Sequence, residues 1–475
     1  ISDRLRVFET SLKGVEFALK NLEDTTNSQI SWEVRFDRLQ DYLRPIWSLY
    51  DRWVTYVEHR ATLEESTLID MAEAVVSHHP MSSHSLIWQA HDVVVPWADG
   101  VRLGLFEHLH QLLKKSSNIC SLNMSPQQYM YALYKLIMTT EVKAFSMMTF
   151  SWMLLREAGK GNFTKEVVLA TEARENRMKE QLDAVKLNMK GLDTYFYRCD
   201  PNVFIEGKNY WQDPSRRYDY IQYESGQFFG ERKECETTKV DSWWRWFVHC
   251  SYCFCLCDDP GPRSDRYFSL REVTAIPGNI ITGIRLEKVD RVFHIRIQEG
   301  KILRGGEVDR ETVRWTEVQG FKLSEAKEDQ DYSVLSFEKR AMDLDDLIAP
   351  RGYVVTGVKF RELGMHLGIS IKVAPADFST GALREDMAYW FDNGNTDAME
   401  QNPRERMTLE EPDVPTKSVL KSRIDSAPDT FIEFQPSSML KDVAQTTVPF
   451  LDAQAVSPKG MTWLRGIGLY HKGMT

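Results

Sequence analysis

The sequence predicts a multidomain chain of α and β parts, in which an N-terminal all-α helical bundle over residues 1–190 precedes an all-β domain with a three-fold internal repeat. Three observations predict it. Apolar residues recur at steps of three and four up to Gly191, and beyond it that spacing gives way to aromatic residues set among Pro, Gly and Asp. The stretch IITGIRLEKVDRVFHIRI (280–297) then returns without a gap as VVTGVKFRELGMHLGISI (354–371). With 475 residues, 42% of them hydrophobic, each part can bury its own core.

In the helical part, Leu5, Phe8, Leu12, Val15, Leu19 and Leu22 form one apolar seam. Phe36, Leu39, Leu43, Ile46, Tyr50, Trp53 and Val57 form a second, with Pro45 expected to kink or break it near Leu43. Further helices are expected at about 64–78, at 84–116 with a break at Pro96, at 126–157, and at 164–190, where Gly191 stops the last. The start of the 126–157 helix is explicit: Ser125 caps, Pro126 takes the first helical position and Gln128 completes a capping box. Its apolar residues, from Tyr129 and Leu133 to Trp152 and Leu154, cover nearly every side, so it belongs near the centre of about six helices.

Residues 191–262 read as an aromatic and Cys-rich β connector, and residues 263–475 as the β domain. In its two clear copies Ile280, Ile281, Thr282 and Gly283 match Val354, Val355, Thr356 and Gly357, while Phe293, Ile295 and Ile297 match Leu367, Ile369 and Ile371. SLREVTAIPG precedes the first copy and DLDDLIAPRG the second. A fainter third, FLDAQAVSPKGMTWLRGIGL (450–469), keeps Leu451, Asp452, Pro458, Gly460 and Gly466. Three strand-turn-strand units suit a β-prism, or alternatively a β-trefoil; the length of the strands favours the prism. The shared glycine is expected where the backbone bends or another backbone comes close. Residues 376–440, rich in Pro, Asp, Glu and Ser, read as a polar surface insertion.

Seven cysteines follow: Cys120, Cys199, Cys235, Cys250, Cys253, Cys255 and Cys257. Cys253, Cys255 and Cys257 alternate with Phe254 and Leu256, which on a strand sets neighbouring thiols about 6.6–7 Å apart. A tetrahedral zinc, holding each sulfur at about 2.3 Å, cannot collect all three. Disulfides to distant partners are the expectation, with metal binding or a redox role as alternatives, and the odd count leaves one thiol over. The neighbouring Trp243, Trp244 and Trp246 read as core packing.

Other candidates are weighed against plainer roles. His78, His79 and His84 read as a solvated helix end, and His108 and His110 face different ways. DNGNTD (392–397) lacks the ligand order of a calcium loop and reads as a turn. Asp343, Asp345 and Asp346 are expected on a solvated strand edge. No metal, cofactor or catalytic residue is assigned, since HExxH, G-x-S-x-G, phosphate-loop and dinucleotide patterns are all missing from the sequence. The formal net charge of -10 and pI near 5.7 argue against nucleic acid and anionic membrane surfaces as partners. The longest uncharged apolar stretch, AFSMMTFSWMLL, is too short to span a bilayer.

CSYCFCLCDDPGPRSDRYFSLREV, the unit from IITGIRL to IRIQEGKI, VRWTEV, AMDLDDLIAPRGYVVTGVKFR and AQTTVPFLDAQAV together resemble an arthropod, chiefly insect, secreted family catalogued as a domain of unknown function. The resemblance covers about 190–470 well and the helical part more loosely. It implies secretion and brings no activity or catalytic residue with it; it also implies that Thr475 is not the natural terminus. A start at Ile1 is consistent with a removed signal peptide, and Asn123 and Asn162 stand in glycosylation sequons. The expected function is that of a secreted, non-enzymatic binding protein, recognising glycan or another extracellular partner through Trp390, Asp392, Asn393 and Asn395. The alternatives are a membrane-active protein resembling pore-forming toxins, with helix 126–157 as the inserting element, and a structural or storage component of haemolymph or matrix.

Overall fold

The computed structural model of the chain describes residues 27–59, 61–95, 103–115, 120, 124–212, 218–223, 228–230, 244–245, 248–249, 252–256, 266–335, 339–409, 415–418, 420–434, 450–459 and 462–473. The chain divides into one unit of residues Ile1–Tyr197 and a second of Arg198–Thr475. The expected first helix, around Leu5 to Leu22, lies outside the described residues.

Six helices are described in the first unit: α1 (Asn27–Glu58), α2 (Glu65–Val76), α3 (Ser83–Val94), α4 (Leu105–Lys115), α5 (Pro126–Glu157) and α6 (Thr164–Met189). α5 starts as its sequence dictates. Ser125 Oγ accepts from the Gln128 amide, and the Gln128 side chain accepts from the Ser125 N–H at 2.9 Å. At the other end of the unit, Gly191 takes a left-handed φ of 74° directly after α6. α5 packs against all five other helices, and seventeen of its 32 residues are buried, so its lack of a polar face reflects a central position.

α1 departs from the expectation at Pro45, through which it runs without a break. The missing N–H costs one helical hydrogen bond, but Leu43, Ile46 and Tyr50 on either side are buried, and the neighbouring Trp47 donates to Thr140 of α5 at 2.7 Å. Tertiary packing outweighs the local penalty.

In the second unit the two clear sequence copies have the same topology. The first consists of β1 (Tyr267–Ser269), β2 (Val273–Thr274), β3 (Asn279–Val289), β4 (Val292–Lys301), β5 (Arg314–Trp315) and β6 (Tyr332–Val334). The second consists of β7 (Ala341–Leu344), β8 (Asp346–Ile348), β9 (Tyr353–Leu363), β10 (His366–Asp377), β11 (Tyr389–Phe391) and β12 (Thr430–Glu433). β3 and β4 form an antiparallel hairpin, as do β9 and β10, and each register slips at the repeated Thr, leaving Thr282 and Thr356 without a cross-strand partner. β1 joins β4 in parallel through Tyr267↔Val292, and β7 joins β10 through Ala341↔His366. β6 and β12 then pair antiparallel with β1 and β7.

The inward residues meet in one core that includes Phe268, Phe293, Ile297, Val355, Phe360 and Ile371. Phe268 lies 5.1 Å from the Phe293 ring and 5.4 Å from that of Phe360, which ties the two copies together.

The fainter third segment supplies β13 (Phe450–Asp452) and β14 (Gly466–Gly468). β13 pairs with Tyr210–Gln212, and no long hairpin is described in this segment. Short strands cross between the segments: β2 pairs with β9, β8 pairs with β14, and Val456 bridges to Ile284 on β3. At those crossings stand Gly283, Gly357 and Gly466. A Cβ on Gly283 would lie 2.7 Å from Ser457 Cβ, one on Gly357 would lie 3.0 Å from Thr274 Cγ2, and one on Gly466 would strike the Leu347 carbonyl. Close approach of another chain segment is thus what the repeated glycine accommodates.

The 376–440 stretch is not only surface chain. β11 and β12 are sheet members, and the adjacent Phe431 and Ile432 on β12 are both buried, one on each face of the strand.

Candidate functional site

A buried polar cluster of the second unit forms where β7 and β10 run in parallel. Asp343 and Asp345, two residues apart, face the same way, while Leu344 between them is in the core. Both carboxylates are buried, contrary to the solvated edge expected for them. What brings them inside is Arg404, whose guanidinium is wholly buried. Arg404 Nη1 and Nη2 donate to the two oxygens of Asp345 at 2.6 and 3.0 Å, a fork-to-fork pairing. Nε lies 3.2 Å from Asp343 Oδ1, close enough for ion pairing but without hydrogen-bond alignment. The remaining donor capacity goes to Asn395 Oδ1 at 2.5 Å and the Thr430 carbonyl at 3.2 Å.

His366 completes the cluster. Its Nδ1 lies 2.7 Å from Asp343 Oδ1, and since a carboxylate only accepts, Nδ1 carries the proton. Nε2 lies 3.7 Å from the exposed Asp397, and the ring packs on Phe431 at 4.5 Å.

Around this anchor the segment 392–404 is tied down. Asn393 donates to Asp429 and, at 3.4 Å, to Asp345, while Asn395 donates to Asp429 at 3.3 Å. Asp392 accepts from Ser370 at 2.9 Å, and Arg361 donates to the Asn393 carbonyl. Three of the four expected ligand contacts, Asp392, Asn393 and Asn395, therefore come together, with their polar groups engaged inside the protein.

Trp390 stands apart from them on β11, opposite Lys372, with the Lys359 ammonium 4.2 Å from its ring centre. The first copy repeats this arrangement: Trp315 lies opposite Gln298, with the Arg285 guanidinium 5.4 Å from its ring. A cation over an indole at matching positions is a packing device of the repeat, and it occupies one face of the ring proposed to meet a ligand.

The cysteines fall on both sides of the described boundary. Cys120 and Cys199 are disulfide-bonded. Cys253 and Cys255 lie in the strand Tyr252–Leu256, as their alternation predicts; Cys235, Cys250 and Cys257 lie outside the described residues. So does Asn123, whereas Asn162 is exposed just before α6, with its side-chain oxygen accepting from Thr164 at 2.7 Å. His78 and His84 meet edge to face at 5.9 Å, and among the described residues no group of three or more His, Cys, Asp or Glu is arranged to hold a metal.

Arg404 and His366 carry the cluster, and the sequence reading passed over both. Arg404 sits in NPRERM, where local pattern gives no hint of burial. The available signal was Asp343 and Asp345 on one face of an otherwise apolar strand, an arrangement that calls for a cation.

A family model described as "Domain of unknown function (DUF4803)" matches residues 117–213 and again 211–297. The matched spans run through α5 and α6 and into the first hairpin, ending within β4, and they stop short of Arg404. A search of the curated proteins returns no match.

Proposed function

We propose that the chain is a secreted, non-enzymatic binding protein whose β unit recognises a glycan or another extracellular partner through the 392–404 segment. The observation that carries this reading is the use of a buried ion cluster to hold an irregular stretch of chain. Stability alone does not call for such a cluster, since apolar side chains in place of a buried ion group are often neutral or stabilising. A network of directional bonds fixes the course of residues 392–404 instead, and a loop fixed in advance loses little entropy when it binds. The exposed Asp397, Met399 and Glu400 on that segment are the contacts this reading favours.

Secretion is supported by the Cys120–Cys199 disulfide, which persists in oxidising compartments, and by the exposed sequon at Asn162. A three-fold prism is supported by the crossings at Gly283, Gly357 and Gly466, since each segment lends a short stretch to the next and Val456 returns to the first. An arthropod origin rests on the sequence resemblance alone.

The membrane-active alternative is not favoured. Among the described residues no helix is long and apolar enough to cross a membrane, and α5 carries Glu141 and Lys143, both fully buried. The deciding experiment is a glycan array with protein secreted from cultured cells, run beside Asp397→Ala. Binding to one sugar class that Asp397→Ala weakens supports the proposal; silence across all classes removes glycan from it.

A further inference from the structure

A second polar cluster lies inside the helical unit, where α3, α5 and α6 meet. On α6, Arg177 donates to both oxygens of Glu141 on α5 at 2.9 Å, and both side chains are buried. Gln181, one turn further along α6, is also buried. Its Nε2 lies 3.4 Å from Glu141 Oε1 and 3.2 Å from His91 Nδ1 on α3, while its carbonyl oxygen has no hydrogen-bond partner among the described residues. His91 Nε2 lies 3.1 Å from Glu180 Oε2.

These contacts fix the protons. Glu180 only accepts, so Nε2 carries the hydrogen, and Nδ1 accepts from Gln181. Glu141 also only accepts, so the amide nitrogen of Gln181 must face it. A second proton on His91 would set an Nδ1–H against the Gln181 NH2, donor to donor. The nearest remedy is a half-turn of the Gln181 amide, which offers the orphaned carbonyl to Nδ1–H and withdraws the NH2 from Glu141. Either way the junction loses a bond.

We propose that this junction is an acid-operated release: proton uptake by His91 turns or expels the Gln181 amide and frees α3 from α6, so that the helical unit loosens in a mildly acidic compartment. This goes beyond the binding role of the β unit and does not depend on it. The groups facing His91 are Glu180 and Arg177 on α6 and Glu141 on α5; no titratable group of α1, α2 or α4, which also pack on α3, perturbs it among the described residues. Burial pushes the His91 pKa down and Arg177 adds to this, outweighing the opposite pull of Glu180 and Glu141. His84, on the same helix, is pushed down by burial, His78 and Arg177. The sign follows: a histidine depressed in the folded state gives full stability above its unfolded pKa of about 6.5 and loses it as pH falls.

Hydrogen exchange of the α3 amides tests this, measured from pH 7.5 to 5 and corrected for intrinsic exchange. The wild type should lose protection in α3 by about tenfold per pH unit for each extra proton bound on opening, before α1 responds. His91→Gln, which cannot take the proton, should flatten the dependence. Flat wild-type protection, or an equal loss in His91→Gln, overturns the proposal. Should that variant fail to fold at pH 7.5, selectively labelled histidine NMR of the wild type decides: the proposal requires the Nε2–H tautomer and a midpoint below 6.5.

Discussion

Replacing Arg404 with methionine isolates the cluster that fixes residues 392–404. The guanidinium is fully buried, and the Asp343 and Asp345 side chains are only 1% and 3% exposed, so solvent cannot compensate for its loss. Removing one partner of a buried ion pair costs about 3–5 kcal/mol, chiefly because the remaining charges are stranded. Here two carboxylates are stranded and the Asn395 and Thr430 oxygens lose a donor, so a value at the upper end, about 5 kcal/mol, is expected for Arg404→Met. Because the chain has two units, a single global unfolding energy is poorly defined; the readout is hydrogen exchange in β7 and β12, combined with limited proteolysis of 392–404. Adding Asp343→Asn and Asp345→Asn to Arg404→Met should recover a large part of the loss, since the stranded charges disappear. A cost below about 1 kcal/mol for Arg404→Met, or no recovery in the triple variant, refutes the reasoning.

Gly357→Ala places a Cβ 2.9 Å from Lys372 Cβ and 3.0 Å from Thr274 Cγ2, and should cost about 1–3 kcal/mol, read from hydrogen exchange in β9 and β10. Gly394→Ala, with nothing among the described residues within 4 Å of the new atom, serves as the silent control. Reducing the Cys120–Cys199 bond reopens a loop of about 80 residues and should destabilise by up to about 4.5 kcal/mol on chain-entropy grounds, seen as a lower melting temperature in dithiothreitol. Burial, helped by the nearby Arg271, pushes the His294 pKa down to about 4. With the unfolded value near 6.5, about 3 kcal/mol should drain from the β unit as pH falls from 6.5 to 4, and His294→Gln should remove that slope from acid-unfolding curves.

The parts legible in the sequence are those governed by nearby residues. The α5 capping box needs only Ser125 and Gln128, three positions apart, and the paired hairpins follow from alternation that survives in both copies. The shared glycine was legible for the same reason, since its demand recurs at each crossing. Where distant partners decide, reading failed. Pro45 kept its helix because α1 is clamped along its length by other helices, and Asp343 moved inside because a residue some sixty positions away supplies the counter-charge. Trp390 stands out in the sequence as an aromatic among amides and acids, while the cation over its ring, matched by Arg285 over Trp315 in the first copy, shows only in the fold.

The lending of short strands between segments also governs how the β unit can be made. β8 has its partner in residues 466–468 and Ile284 bridges to Val456, so neither hairpin segment is complete until residues 450–468 arrive. On a ribosome the helical unit, closed by neighbours in sequence, can form early, whereas the sheets must wait for their final residues to emerge. Until then the edges of β3 and β8 lie open to wrong partners, which makes chaperone supply during synthesis a determinant of yield.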